Sequence, residues 1–224
     1  MERDGFSLLP GLIGAPLLSD MSNTLADLVA AHGGQSCNLR GLLDRDGPVR
    51  SAAAGSTIKD RLKCLTGRDW FAVRALLFDK TEDSNWHVRW HQDRTIAVRD
   101  RHETACFSGW SIKEGVVHVQ APASVMEKML AVRIHLDDAT PDNGALQLLA
   151  GSHLRGCIQA EETEELRRSR PIVDCFVRTG DALLMRPLLL HGSPTAKKTV
   201  HRRVLHLEYS WAELPDGLSW HWKV

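Results

Sequence analysis

Two histidines and one aspartate have the types and spacing that best fit a metal centre in this chain. His91 and Asp93 are separated by one residue, and His191 lies 100 residues beyond His91. On an extended strand His91 and Asp93 would point to the same side, with backbones ~6.5 Å apart, because side chains alternate along a strand. Two imidazoles and one carboxylate can hold Fe(II) on one face and leave positions open for substrate chemistry. Arg202 follows His191 by 11 residues and could hold a carboxylate nearby.

The His-x-Asp pattern also occurs elsewhere in the sequence. The chain has 11 histidines, and His135-Leu136-Asp137 repeats the spacing, while His206-Leu207-Glu208 offers a version with glutamate. Spacing alone therefore leaves three candidate ligand pairs.

The composition bounds the class of protein. A length of 224 residues, with 43% hydrophobic and 25% charged residues, is typical of one globular domain, 1–224. Lys+Arg and Asp+Glu are both 28, so no net charge favours nucleic acid as a partner. The 5 cysteines form no Cys-x-x-Cys pair, which favours free thiols in a reducing cytosol.

The apolar stretch 8–18 is too broken to be a signal peptide or a membrane span. It contains Pro10, Gly11, Gly14 and Pro16, and prolines and glycines interrupt an apolar helix. We therefore expect a cytoplasmic protein without membrane association.

The elements that must position these residues change in character along the chain. Helical spacing predicts helices over 19–31, capped by Ser19 or Asp20 and ended by Gly33-Gly34, and over 58–65 and 161–168. A loop with a possible short helix is expected over 38–46. Strands are predicted at 71–78, 95–98, 116–119, 129–136, 145–149, 172–177, 182–185 and 204–209. This order predicts a mainly β protein with flanking α-helices, in which a helix-rich part (1–68) packs on a double-stranded β-helix, or jelly roll (69–212).

Several motifs in the same order resemble the phytanoyl-CoA dioxygenase family. They begin at Trp90-His-Gln-Asp93 and continue through the segment 136–153, which contains Asn143-Gly144 and ends in Gly-Ser-His153. Gly180-Asp181, the segment 187–193 and the segment 201–206 follow. The resemblance covers roughly 70–210, with Ala150 standing where the family usually has proline.

The resemblance implies which residues form the site. It selects His91, Asp93 and His191 as metal ligands, places His135 and Asp137 on a core strand and turn, and leaves His206 and Glu208 outside the motif. It also implies Arg202, assisted by Ser193, as the clamp for a carboxylate of 2-oxoglutarate, since the family's spacing from the last histidine is the one found here.

Strand parity separates Arg202 from its neighbour Arg203. Arg202 shares a face with the more polar residues of the strand, whereas Arg203 shares a face with Leu205, Leu207 and Tyr209. The apolar face suits packing against the helices, so we prefer Arg202, with Arg203 as the alternative.

The activity implied by the resemblance is an Fe(II)- and 2-oxoglutarate-dependent dioxygenase. It would use O2, decarboxylate 2-oxoglutarate to succinate and hydroxylate a small molecule. The basic residues Lys80, Arg89, Arg94, Arg99 and Arg101 form a run that we expect around the mouth of the site, where it would favour an anionic substrate. The alternatives are a cupin-like metalloenzyme that does not use 2-oxoglutarate and a non-catalytic jelly-roll binding protein. Either a monomer or a homodimer is compatible with the sequence.

Overall fold

The computed structural model of the chain describes residues 1–32, 38–198 and 201–224. The predicted helix stop at Gly33-Gly34 and the cysteine at position 37 lie outside these residues. The helices are α1 (Ala15–Ala31), α2 (Pro48–Ala54), α3 (Ser56–Thr66), α4 (Ala123–Met126) and α5 (Ala160–Ser169), with a 3-10 turn at Ser152–Arg155. The strands are β1 (Phe6–Leu9), β2 (Asn38–Leu39), β3 (Phe71–Lys80), β4 (Val88–His91), β5 (Thr95–Val98), β6 (Ser108–Lys113), β7 (Val116–Gln120), β8 (Met129–His135), β9 (Leu146–Leu148), β10 (Val173–Cys175), β11 (Ala182–Met185), β12 (His191–Ser193) and β13 (Arg202–Ser210).

Two antiparallel sheets form the jelly roll. The larger has 6 strands in the order β1-β11-β8-β13-β3-β2, and the smaller has 4 in the order β10-β9-β12-β4. Side chains from both sheets share one hydrophobic cluster, in which Ala131 and Met185 of the larger sheet join Leu146 and Leu148 of the smaller. A third sheet, β5-β7-β6, extends the fold. The predicted fold class, mainly β with flanking helices, is confirmed.

The helices cover the outer face of the larger sheet. Met21 and Leu25 of α1 belong to the same buried cluster as Leu205 and Leu207 of β13. Each fully buried side chain of this kind contributes roughly 1.5–3 kcal/mol. The buried Tyr209 hydroxyl donates a hydrogen bond to the backbone carbonyl of Ala53 in α2, at 3.0 Å. The odd-numbered face of β13 is thereby used for packing, and the even-numbered face is turned to the interior of the roll.

The predicted start of the first helix was wrong. Helix α1 begins at Ala15 after Gly14, with a proline in its first turn, rather than at Ser19. Proline is tolerated there because the first backbone N–H groups of a helix have no partner within it. Helix α2 also has a proline in its first turn: it begins at Pro48, after the expected loop. It was not predicted as a helix.

All eight predicted strands are present, with ends shifted by a few residues at most. Five further strands were not predicted as such: β1, β2, β4, β6 and β12. They are short or carry polar residues, so neither alternation nor β-propensity marks them clearly. Within the described residues, no helix is both long and apolar enough to span a bilayer.

Candidate active site

A cavity of about 200 Å³ opens between the two sheets. The even-numbered face of β13 contributes Arg202 and His206 to its wall. The other lining residues are Arg40, Phe78, Trp86, Val88, His91, Asp93, Arg133, Leu146, His191 and Ser193. The cavity is thus lined by all the residues that the resemblance assigned to the metal and 2-oxoglutarate sites: His91, Asp93, His191, Ser193 and Arg202.

His91, Asp93 and His191 converge on one point at this cavity. Strands β4 and β12 pair antiparallel, with His91 directly opposite His191. One ligand atom from each of the three side chains lies within 4.8 Å of the other two. Among the described residues, these three form the one group of histidine, cysteine, aspartate and glutamate side chains with such geometry. A larger cavity of about 280 Å³, beside His153 and Arg186, brings no comparable group together.

The backbone sets the tautomer of both histidines. The Nδ1 atoms of His91 and His191 lie 2.8 and 2.9 Å from the carbonyl oxygens of Arg89 and Leu189, respectively. A carbonyl can only accept, so each Nδ1 carries the proton and each Nε2 presents a lone pair. Both Nε2 atoms are 3.6 Å from Asp93 oxygens, which is too long for a hydrogen bond. Three electron-pair donors therefore face a common point without bonding one another, as metal ligands do.

Asp93 lies just beyond the end of β4, so the strand ends at His91 and does not extend across the His-x-Asp pair. The backbone N–H of Asp93 donates to the Pro187 carbonyl at 2.9 Å. The preceding residue, Gln92, turns away from the cavity and donates its side-chain amide to the Leu188 carbonyl at 2.6 Å. These bonds fix the segment against the loop before β12, which explains how Asp93 faces the histidines without continuous strand geometry.

The electrostatics of the cluster favour cation binding. Burial lowers the pKa of His191 to about 4, so this imidazole is neutral at pH 7. Burial alone would raise the pKa of Asp93, but the two histidines outweigh it and hold that pKa well below its usual value. For His91, burial acts to lower the pKa, and the neighbouring Asp93 carboxylate outweighs it and raises the pKa. The Asp93 carboxylate, whose side chain is 23% exposed, is therefore ionised between two imidazoles.

Arg202 points a largely unpartnered guanidinium into the same cavity. It is 3% exposed, and its Nε and one Nη atom have no hydrogen-bond partner in the described part of the chain. Burial and the charge of Arg133 lower its pKa to about 10, so it remains a cation at pH 7. A buried cation with free donors is costly unless an anion binds it. The planar fork of arginine suits a carboxylate.

Ser193 lies beside Arg202 and is fixed on both sides. Its hydroxyl donates to the Gly144 carbonyl at 2.7 Å and accepts from Lys80 Nζ at 2.8 Å. Gly144 has φ +72°, and a Cβ there would lie 2.6 Å from the Pro194 carbonyl oxygen, so the Asn-Gly turn requires glycine. The turn thus holds the carbonyl that orients Ser193.

The sequence placed Lys80 at the mouth of the site, but this residue is buried and is not among the lining residues of the cavity. It is 1% exposed and pairs in register with Arg202 at the end of β3. Burial, with a smaller effect of Arg202, lowers its pKa to about 8. The other residues of the predicted basic run, Arg89, Arg94, Arg99 and Arg101, are not among the lining residues of the cavity.

The alternative residues have other partners. Asp137 accepts two hydrogen bonds from the Arg203 guanidinium, each 2.8 Å long, so both belong to one ion pair away from the cavity. Glu208 accepts from Arg74 and from His206 Nε2. His153 Nε2 lies 3.0 Å from the Glu2 carbonyl. None of these arrangements leaves a ligand set comparable with the first.

Several lining residues had no clear sequence signal. Arg133 stood out only as a charge within an apolar strand that lacked an obvious partner, and Arg74 shared that signal. Arg40 and Phe78 carried none. Trp86 lines the cavity, whereas Trp90 packs beside Leu149 and Leu190.

The jelly roll and the two-histidine, one-carboxylate cluster define the class of mononuclear non-heme metal proteins. A model of the phytanoyl-CoA dioxygenase (PhyH) family matches residues 1–204. The chain belongs to this family. A search of curated proteins gives no match.

Solved structures share the fold at low sequence identity. AviO1 from Streptomyces viridochromogenes Tue57 is 20% identical with a TM-score of 0.70, covering 96% of this chain and 93% of that one. EctD from S. alaskensis with bound Fe is 20% identical with a TM-score of 0.69, covering 93% and 73%. The epimerase SnoN, in complex with Fe3+, alpha ketoglutarate and nogalamycin RO, is 15% identical with a TM-score of 0.69, covering 93% and 79%.

Proposed function

We propose that the chain is an Fe(II)- and 2-oxoglutarate-dependent dioxygenase that hydroxylates a small-molecule substrate. The observation that carries the proposal is the joint placement of His91, Asp93 and His191 with the unpartnered Arg202 in one cavity. A metal enzyme that does not use a dicarboxylate would have no need of the buried guanidinium, so Arg202 favours 2-oxoglutarate over the cupin-like alternative. Structural neighbours described with iron and with alpha ketoglutarate support the same cofactors.

His91, Asp93 and His191 would hold the metal through two Nε2 atoms and one carboxylate oxygen. Arg202 and Ser193 would bind the distal carboxylate of 2-oxoglutarate. When bound, the iron supplies the redox chemistry, in which O2 and 2-oxoglutarate are converted to succinate and CO2 while a substrate C–H becomes C–OH.

The protein's own contribution is to set the charges of the metal ligands and to give the cavity apolar walls. Asp93 is ionised and His191 is neutral at pH 7, so two of the three ligands need no proton transfer before the metal binds. Phe78, Val88 and Leu146 give the cavity apolar walls that suit a substrate C–H bond.

We propose an anionic substrate on the basis of Arg40 rather than the basic run identified in the sequence. The Arg40 side chain is 28% exposed, lines the cavity and lies 3.9 Å from Glu114, a loose pairing that a stronger anion could replace. A substrate carboxylate or phosphate at Arg40 would direct the rest of the molecule towards the metal.

The helices cover the larger sheet, which supports one functional unit over 1–224. The described cysteines, at positions 64, 106, 157 and 175, are free thiols, which supports a cytoplasmic location. We propose that the enzyme acts as a monomer or homodimer.

Succinate formation tests the proposal. Purified protein with Fe(II), ascorbate, O2 and 2-oxoglutarate should release succinate slowly without substrate and faster with a suitable anionic compound. His91→Ala should reduce both rates to background, whereas Asp137→Ala, in the other His-x-Asp pair, should not. Succinate release that is equal in wild type and His91→Ala would contradict the proposal.

A further inference from the structure

Arg133 is a second buried arginine in the wall of the candidate site. It is 6% exposed and lies on β8, opposite His206 of β13. One Nη atom lies 3.0 Å from His206 Nδ1, and Nε has no hydrogen-bond partner within residues 1–32, 38–198 and 201–224. In the described part of the chain, no carboxylate lies within the 4.0 Å that defines an ion pair with it.

A chain of hydrogen bonds fixes this guanidinium without neutralising it. Glu208 accepts from Arg74 and from His206 Nε2, the latter at 3.2 Å. Because Nε2 of His206 donates, its Nδ1 accepts from Arg133. The Arg133 guanidinium also lies 5.4 Å from the centre of the Phe78 ring. Its orientation is therefore set by an imidazole nitrogen and an aromatic ring, and among the described residues its positive charge has no anionic counterpart in contact.

Arg133 lies close to both the metal-ligand cluster and Arg202. Its charge acts on the pKa of Arg202 and of His191, and the Asp93 carboxylate acts on the pKa of Arg133 in return. A buried cation without an anion is energetically costly. A ligand that spans from the metal to Arg202 would pass beside it, and 2-oxoglutarate carries one carboxylate at each end.

We infer that Arg133 binds the carboxylate of 2-oxoglutarate that is adjacent to the keto group, while Arg202 binds the distal one. The inference rests on the proposed function. It assigns two buried guanidinium groups to the two carboxylates of one dianion. It also gives the hydrogen-bond chain from Arg74 to His206 a role, which is to hold Arg133 in the orientation that the carboxylate requires.

Comparing two ligands, 2-oxoglutarate and 2-oxopentanoate, distinguishes binding at the two ends of the cosubstrate. 2-Oxopentanoate keeps the 2-oxo acid end of 2-oxoglutarate and lacks the distal carboxylate. Both are titrated calorimetrically, without O2, into the Fe(II)-loaded wild type, Arg133→Gln, Arg202→Gln and, as a matched control, Arg203→Gln. The Kd for Fe(II) alone and the Tm are measured for each variant.

Arg133→Gln should raise the Kd of both ligands by the same factor, ~10- to 100-fold, because both keep the carboxylate that it binds. Its preference for 2-oxoglutarate over 2-oxopentanoate should remain that of wild type, and its Kd for Fe(II) should not change. Arg202→Gln should weaken 2-oxoglutarate alone and abolish the preference. Arg203→Gln should change neither ligand's Kd.

Unchanged Kd values in Arg133→Gln, or a loss of preference like that of Arg202→Gln, would overturn the assignment. If Arg133→Gln does not fold, Arg133→Lys serves instead, with a smaller equal loss for both ligands expected and the same outcomes overturning it. Failure of wild type to bind 2-oxoglutarate would overturn the proposed function itself. If wild type and Arg133→Gln instead bind 2-oxoglutarate equally well, the proposed function stands and only the assignment of Arg133 fails.

Discussion

His91 and His191 face each other across the antiparallel pair of β4 and β12, with ring centres 4.3 Å apart. A carbonyl oxygen two residues before each histidine holds the Nδ1 proton, so the facing rings present Nε2 lone pairs towards the same carboxylate. The sheet register, rather than the local sequence, therefore determines that residues 100 positions apart converge.

Loss of Asp93 should abolish tight metal binding. Asp93→Ala removes the one anionic ligand, so we expect the Kd for Fe(II) to rise by at least ~100-fold, beyond the effect usual for removing a group that only orients a ligand. Anaerobic competition with a chelator measures it. Asp137→Ala, at the other His-x-Asp pair, is the control and should bind Fe(II) as wild type does. Similar losses in both variants would contradict the assignment.

Arg202 and Arg203 are adjacent residues, but only substitution of Arg202 is expected to weaken 2-oxoglutarate binding. Arg202→Lys keeps the charge and loses the planar fork, so we expect the 2-oxoglutarate KM to rise ~10-fold with little change in Tm. Arg203→Lys alters a partly exposed ion pair with Asp137, worth up to ~1 kcal/mol, and should leave the KM unchanged. A 2-oxoglutarate KM that is raised in Arg203→Lys but not in Arg202→Lys would show that Arg203, rather than Arg202, binds the carboxylate.

His135 should make the fold sensitive to acid. Burial lowers its pKa from 6.5 to about 3, and neither ring nitrogen reaches a described partner with normal hydrogen-bond geometry. In the unfolded chain His135 binds a proton below pH 6.5, whereas in the folded chain it does so only below about pH 3. Protonation therefore favours unfolding, and the stability that the neutral, buried His135 contributes is lost as the pH falls through this window. Between pH 6.5 and 5.0, wild type should lose about 2 kcal/mol more unfolding free energy than His135→Leu. Urea denaturation at each pH measures the difference, and parallel losses in the two proteins would refute it.

The Tyr209 hydroxyl tests the packing of the helices on the sheet. Tyr209→Phe keeps the ring and removes the hydrogen bond to the Ala53 carbonyl, which should lower the unfolding free energy by about 1 kcal/mol. The succinate rate should be unaffected, because Tyr209 lies on the face of β13 opposite the cavity. Unchanged stability would show that the bond contributes nothing.

The sequence predicted the fold where periodicity was strong. Strand β13 shows why: its alternation separates the face that packs on the helices from the face that bears Arg202 and His206, and the structure has the same division. The start of α1 failed because Pro16 was interpreted as a break, although the first turn of a helix tolerates proline.

The sequence marks the motif residues of the candidate site but not the residues that surround them. His91, Asp93, His191 and Arg202 are marked by spacing and order, and the structure brings them to one cavity. Arg133 enters that cavity through the pairing of β8 with β13, and the pairing of β3 with β13 places Lys80 opposite Arg202; no local pattern encodes either pairing. Long-range register is the information that a single sequence does not display.

Anaerobic addition of 2-oxoglutarate to the Fe(II)-loaded protein tests the central claim most directly. Chelation of iron by the 2-oxo acid produces a weak visible charge-transfer band. The band should appear in wild type, saturate at one 2-oxoglutarate per chain, and be absent in His91→Ala. Wild-type protein that binds one Fe(II) and shows no band at saturating 2-oxoglutarate would contradict the account.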